Sequence, residues 1–219
     1  LIERGKILKN QHNDKFVNSP EGEWIDIFRE SSIEHIMNLI KEDLNSLGVH
    51  HDVFTSEKYL LESNIVSSVY EELNKKELLY EGVSTPPKGN NNEEWTERKH
   101  ILFKSKKFGD DEDRVVKKHD GSWTYFMPDI AYHKNKFDRG FSQMINILGA
   151  DHSGYISRMK SAIKAITQDQ AIFDIKTCQL VKLTRNGQPV TMSKRSGDFI
   201  TLKEILEEVG SDAIRFMIV

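Results

Sequence analysis

The sequence predicts an α/β fold built on a parallel sheet, and three features predict it. Ile145 to Leu148 is a short apolar run, Gly149 to Gly154 a tight loop, and Ile156, Met159, Ile163 and Ile166 then repeat on one helical face, so strand, loop and helix follow in succession. Phe173 to Ile175 and Gln179 to Leu183 read as further strands. Thr201 and Glu204 form a capping box ahead of Leu202, Ile205, Leu206 and Val209, with Gly210 as terminator. Short buried strands alternating with helices are the pattern of a parallel sheet.

The elements before that sheet are mixed. The opening stretch to Trp24 is polar and reads as a weak helix and linker with a turn at Ser19-Pro20-Glu21-Gly22. Ser31 and Glu34 form a capping-box pair, and Ile33, Ile36, Met37, Ile40, Leu44 and Leu47 keep helical spacing until Gly48 closes the element. Val49 to Phe54 reads as a short strand. A second helix carries Ile65, Val66, Val69 and Leu73, and a strand is expected at Leu78 to Tyr80. The stretch 85–92, rich in Pro, Gly and Asn, is the expected internal boundary, followed by a strand from His100 to Phe103.

Gly109-Asp110-Asp111-Glu112-Asp113 is an acidic turn beside Arg114, Lys117 and Lys118; a cation could bind it, but a solvated turn is the better reading. Asp120-Gly121 is a turn and Trp123 to Phe126 a strand. Pro128 sits where a helix would begin, because a first-turn residue needs no N–H. Asn186-Gly187 is the preferred centre of a two-residue hairpin turn leading to Val190.

Of the 219 residues, 37% are apolar and 30% charged, which excludes disordered, collagen-like and disulfide-scaffold classes. The 31 basic and 34 acidic residues leave a charge of −3, so the chain does not grip nucleic acid through bulk charge. Its apolar runs fall far short of the ~20 residues that span a bilayer, and a cytoplasmic location is expected with no membrane partner. With one cysteine, Cys178, expected in the core, and no HExxH among eight histidines, no disulfide, cysteine zinc site or metal ligand set is predicted. Leu at position 1 and the apolar run from Ala213 lead to the expectation of a piece of a longer protein.

Three segments carry chemistry. Thr191-Met192-Ser193-Lys194-Arg195-Ser196-Gly197 is basic, hydroxyl-rich and glycine-ended, which suits phosphate: Lys194 offers a mobile charge, Ser193 and Ser196 hydroxyls, and Gly197 a close backbone approach. A solvated basic turn is an equal reading on physics alone. Gly149-Ala150-Asp151-His152-Ser153-Gly154 lies between strand and helix, where open parallel sheets bind ligands. There Asp151 would suit ribose hydroxyls, Gly149 an adenine against the backbone, and His152 the nucleotide or its neighbour. The plainer reading is a helix-capping Asp with an exposed His. Tyr125-Phe126-Met127-Pro128-Asp129 presents a phenol and a carboxylate at a strand-to-helix junction, suited to a planar cation. Its plainer reading has Asp129 supporting its own helix N-terminus and Tyr125 in the core.

In order and spacing, the runs Asp120 to Tyr125, Asp129-Ile130-Ala131-Tyr132-His133, Lys136 to Phe141, the GADH run with Gly154-Tyr155, the MSKRSG run and Glu208 to Phe216 resemble arginyl-tRNA synthetase, a class I aminoacyl-tRNA synthetase. The match is specific from about His100 onward, and Phe108-Gly109-Asp110-Asp111 with Asp113-Arg114 resembles the bacterial form. The resemblance implies that Tyr125, Asp129 and His152 contact arginine, and that Gly149, Asp151, His152, Met192, Ser193 and Lys194 bind ATP. It places Ser193 and Lys194 in catalysis, with Lys194 stabilising the pyrophosphate leaving group. It implies ATP as substrate with Mg2+, and L-arginine and tRNA(Arg) as partners; a monomer is favoured. Met-Ser-Lys resembles the KMSKS loop, although Thr191 and Arg195 replace its first lysine and last serine.

The HIGH segment is expected before Leu1 and the anticodon-binding domain after Val219. The expected organisation is an α+β insertion over 1–109, the second half of the Rossmann-like parallel sheet over 110–192, and the KMSKS-like loop with the start of a helical connection over 193–219. The piece alone is expected to be inactive. The alternative is a noncatalytic synthetase-like module that binds amino acid, nucleotide or tRNA, and a further rival is a class I synthetase for another amino acid.

Overall fold

A computed structural model describes residues 2–83, 98–179, 181–185, 187–190 and 200–218. Its helices and strands run α1 (Ile2–His12), α2 (Glu21–Ser46), α3 (Glu57–Glu62), α4 (Ile65–Lys75), β1 (Leu79–Val83), β2 (Lys99–Phe103) and β3 (Arg114–Lys117). They continue with α5 (Phe126–Asp138), β4 (Gln143–Gly149), α6 (Ile156–Thr167), β5 (Ile172–Cys178), β6 (Thr184–Arg185), β7 (Gln188–Pro189), α7 (Leu202–Val209) and α8 (Ser211–Ile218). Tertiary contacts gather them into two compact units: Thr55–Lys182, and the residues up to Phe54 together with those from Leu183 onward.

The Thr55–Lys182 unit holds the sheets that matter for the site. Strands β4 and β5 pair in parallel from Gln143↔Ile172 to Gly149↔Cys178, with α6 as the crossover. This is the expected strand, loop, helix and strand. The expectation of a fully buried strand holds only for alternate residues: Met144 and Ile175 are buried, whereas Ile145, Ile147 and Ile172 are exposed. Side chains alternate across a strand, so helices packed on one face cover every second residue. Strands β1, β2 and β3 form an antiparallel sheet, with an irregularity in register between Ile101 and Leu102.

One core unites this unit. Helix α4 contributes Val66, Val69 and Leu73, spaced to share a face, and α6 contributes Met159, Ala162, Ile163 and Ile166. Phe103, Val116, Phe126, Met127 and Ile130 fill the space between them.

The acidic turn is organised around Arg114: Asp111 and Glu112 keep the expected exposure to solvent, whereas Asp110 does not. Arg114 donates through Nε to Asp110 Oδ2 (2.7 Å) and through Nη2 to Oδ1 (2.9 Å), and it also pairs with Asp111 and Glu112. Ser157 Oγ adds a bond to Asp110 from the start of α6 (3.0 Å), and the Asp110 side chain is fully covered. Burial alone would raise this carboxyl; Arg114 and the N–H of Asp111 override it and hold it well below the usual carboxylate range. The cation that the acidic run gathers is therefore the protein's own.

Several local expectations change. Helix α2 starts at Glu21 behind Pro20, so Ser31 lies inside the helix, where its hydroxyl accepts from Arg4 Nε (2.8 Å) instead of capping. The turn expected at Ser19 to Gly22 is the entry to that helix. Gly48 does close it, at φ +69°, and Arg215 donates to the terminal carbonyl of Leu47 (2.5 Å). Val49 to Phe54 has no regular structure. Trp123 makes a lone bridge to Lys117, and Phe126 already opens α5, because Thr124 turns the chain by bonding back to Val115 O (2.7 Å).

Residues 181–183 are irregular, and Cys178 is exposed at the end of β5 rather than in the core. The stretch 85–92 lies outside the described residues, as does Asn186; around the latter Thr184 pairs with Pro189 and Arg185 with Gln188. The Thr201–Glu204 capping box forms in both directions.

Removing the Arg114 guanidinium would leave a covered carboxylate without its counter-charge. Arg114→Met should therefore destabilise the protein by about 3 kcal/mol, read from the denaturant midpoint. The Asp110 carboxyl is depressed in the folded state, so its contribution is complete above the unfolded value of about 4 and is lost as pH falls through the folded one. Denaturation midpoints measured between about pH 3 and 6 should decline on the acid side, and less steeply in Asp110→Asn.

Candidate functional site

The first turn of α5 is set by the strand before it. Thr124 donates its N–H to Val116 O and its hydroxyl to Val115 O, so the chain leaves β3 and the Lys117 bridge already bent toward the helix. Tyr125 occupies the cap position, and Pro128 is the third helical residue, in the turn whose N–H groups have no partner inside the helix. Phe126, Met127 and Ile130 face inward. Tyr125 and Asp129, four residues apart, share the other side. Tyr125 is 89% exposed, which removes the reading of it as a core residue, and Asp129 is half-buried.

Both residues line a cleft of about 210 Å³ with Thr55, Glu57, Leu60, Pro128 and Tyr132. The volume lies below the ~300–1,000 Å³ of pockets for drug-sized ligands, so it suits a group of side-chain size. Its walls carry two carboxylates, Asp129 and Glu57, and two phenols, Tyr125 and Tyr132. A guanidinium matches that set: a carboxylate accepts two parallel N–H bonds, and an aromatic face attracts the flat cation. Glu57 was not identified in the sequence. Its local signal is Ser56, whose hydroxyl accepts the Tyr59 N–H and starts α3, placing Glu57 at the first helical position.

Behind the cleft, Asp129 is tied at two points. Tyr155 donates its hydroxyl to Asp129 Oδ2. His133 Nδ1–H donates to the Asp129 carbonyl (2.7 Å), while its Nε2 accepts from Asn146 Nδ2 (2.8 Å) on β4. These bonds require a neutral ring protonated on Nδ1. Burial lowers the His133 pKa, which favours the same form. Burial also pushes the Tyr155 hydroxyl well above its ordinary value, and the bond to Asp129 adds to this, so the phenol remains a donor.

Gly149, Asp151 and His152 stand at the carboxyl end of β4 and in the 3-10 turn Ala150–Tyr155. A Cβ on Gly149 would run into Asp151 Oδ1, so the absence of a side chain there makes room for that carboxylate. The Asp151 and His152 side chains are both exposed, with His152 Nε2 3.8 Å from Asp151 Oδ2. Asp151 does not cap α6, whose cap position is Tyr155. His152 is not among the residues lining the cleft with Tyr125 and Asp129. Met192, Ser193 and Lys194 lie outside the described residues, as do Thr191, Arg195, Ser196 and Gly197. Among the described residues no group of three or more His, Cys, Asp and Glu is placed to hold a metal ion.

Residues 17–218 match the family of class I tRNA synthetases (R), catalytic domain. The chain belongs to the class I arginyl-tRNA synthetase catalytic-domain family. Arginine–tRNA ligase of Azorhizobium caulinodans is 50% identical over 219 residues, covering 99% of this chain and 37% of that protein. Arginine–tRNA ligase of Nitrobacter hamburgensis is 51% identical over 215 residues, covering 97% and 36%. A Campylobacter jejuni crystal structure described as an arginyl-tRNA synthetase superposes with a TM-score of 0.79 at 29% identity, over 99% of this chain and 43% of that one. The chain thus spans little more than a third of the length of the curated relatives it matches.

In this member of the family, the network behind the cleft predicts a histidine that resists protonation. In 15N-detected spectra His133 should hold its proton on Nδ1 at neutral pH and titrate below the ~6.5 of a solvated imidazole. Its depressed value means that its share of stability is present above about pH 6.5 and falls away as pH drops toward the folded value.

Proposed function

We propose that this chain supplies the arginine pocket and part of the ATP site of an arginine–tRNA ligase, which joins L-arginine to ATP as arginyl-adenylate and transfers the arginyl group to tRNA(Arg). The observation that carries this reading is the small cleft in which Asp129, Glu57, Tyr125 and Tyr132 converge. Two acids and two phenols around a side-chain-sized space select a flat cation over a neutral or anionic side chain. Within the class I family, that selects arginine.

In this reading Tyr125 and Asp129 receive the guanidinium, with His152 as a further contact from the β4 loop. Gly149, Asp151 and His152 hold the adenosine side of ATP, and Met192, Ser193 and Lys194 close over its phosphates. The arginine carboxylate attacks the α-phosphate, an oxygen–phosphorus bond forms, and the bond to the departing pyrophosphate breaks with its charge met by Lys194 and Ser193. No covalent enzyme intermediate is needed, so positioning and charge stabilisation account for the rate. Mg2+ enters with ATP, bound through phosphates and water.

Residues 1–109 serve as the insertion, 110–192 as the second half of the Rossmann-like domain, and 193–219 as the signature loop and the start of the helical connection. The reading places the enzyme in the cytoplasm as a monomer. Among the described residues, no helix is long and apolar enough to cross a membrane.

ATP–pyrophosphate exchange by the full-length protein with tRNA present, run with each amino acid in turn, tests the assignment. Exchange with arginine alone is expected. Arginine binding without exchange would favour a noncatalytic module, and exchange with another amino acid would overturn the substrate. Lys194→Ala should slow adenylate formation by about two orders of magnitude and leave arginine affinity within about twofold. Asp129→Ala should raise the arginine KM by about two orders of magnitude, because an uncompensated guanidinium would remain in the cleft.

A further inference from the structure

We propose that Tyr155 is a positioning residue for arginine recognition: its hydroxyl fixes the Asp129 carboxylate toward the cleft without neutralising it. The proposal rests on the reading that Asp129 receives the guanidinium, and it adds a residue from a different element to that task.

The geometry restricts the phenol closely. Tyr155 ends the 3-10 turn that follows β4, and its ring meets Phe126 edge-on, centroids 6.3 Å apart and planes at 79°. Phe126 is 3% exposed and opens α5, so the helix that carries Asp129 also braces the ring that orients it. On the other side, the Arg158 guanidinium lies 5.3 Å from the Tyr155 ring and 5.9 Å from that of Phe126. A cation over a phenol draws electron density from the ring and strengthens the O–H as a donor. The Asp129 main chain is held separately by His133. Backbone and carboxylate are thus fixed by different donors.

The chemistry of the partner matters as much as its position. Among the described residues no lysine, arginine or histidine forms an ion pair with Asp129; the Arg158 guanidinium lies over the rings of Tyr155 and Phe126. A cationic partner would orient the carboxylate but cancel the charge that attracts a guanidinium. A neutral hydroxyl orients it and leaves the charge in place. A carboxylate offers about four lone-pair sites; Tyr155 takes one on Oδ2, and the two-pronged guanidinium needs two of the rest. Donor and substrate therefore do not compete.

The deciding variant is Tyr155→Phe in the full-length protein, which keeps the ring, its edge contact and its cation and deletes only the hydroxyl. In ATP–pyrophosphate exchange the KM for arginine should rise about tenfold, the loss expected for one charge-assisted hydrogen bond, while kcat and the KM for ATP stay within about twofold. Calorimetric titration with arginine should show the same loss of affinity. A Tyr155→Phe protein with arginine KM and affinity within about twofold of the parent would overturn the proposal, and so would a parallel loss in kcat and in both KM values. Asp129→Asn, measured alongside, separates this from the underlying reading. If it leaves arginine binding unchanged, both fail; if it abolishes binding and Tyr155→Phe does nothing, only the role of Tyr155 falls.

Discussion

In the proposed reading, a half-buried carboxylate that receives a cation must be held in place while its charge is spared. Burying it bare costs several kcal/mol, and pairing it with a resident cation removes what the ligand comes for. At Asp129 the protein meets this constraint with neutral donors: the Tyr155 hydroxyl on the side chain and the His133 N–H on the main chain. The surrounding fold serves that arrangement. Thr124 bends the chain off β3, Phe126, Met127 and Ile130 anchor the first turn of α5, and β4 supplies Asn146 to set the His133 tautomer.

The contrast with Asp110 makes the rule visible within one chain. That carboxylate is fully covered, held two-pronged by Arg114 and bonded by Ser157. Its charge is consumed in joining the segment before β3 to the start of α6. A carboxylate neutralised by a fixed guanidinium is structural; one oriented by a phenol and open to a cleft remains available to a mobile guanidinium. In the proposed reading the two sites would use the same chemical pair, with the guanidinium supplied by the protein at Asp110 and by the ligand at Asp129.

What could be read from the sequence was what local physics fixes. The Thr201–Glu204 box and the Gly48 terminator form because their bonds close within a few residues, and the helical faces of α4 and α6 follow from spacing alone. At Tyr125 to Asp129 only the presence of a helix start was legible: the helix opens at Phe126, two residues before Pro128, and the strand expected over Trp123 to Phe126 is a single bridge at Trp123. Contacts across the chain were not. Ser31 and Glu34 carry a capping pattern, yet the helix had already begun at Glu21 and Arg4 engages the Ser31 hydroxyl. The bond from Ser157 that helps to cover Asp110 was not legible, because Ser157 lies 47 residues onward. Glu57 reaches the cleft from α3 and Tyr155 reaches Asp129 from beyond β4, so only packing reveals either.

The same distinction explains why the cleft is made of residues from separate elements. Asp129 and Tyr125 on one helical turn could present a phenol and an acid, but a flat cation has two faces and an edge, and a single turn cannot surround it. Glu57 and Tyr132 add walls, while Tyr155 and His133 work from behind where no ligand needs to reach. Cleft-facing groups thus come from α3 and α5, and the groups bonded to Asp129 from α5 and the loop after β4. Behind the carboxylate His133 is buried, while Tyr125 on the cleft side is exposed. Tyr155 is the last residue of the 3-10 turn that carries Asp151 and His152, so the donor on the Asp129 carboxylate comes from the loop that follows β4.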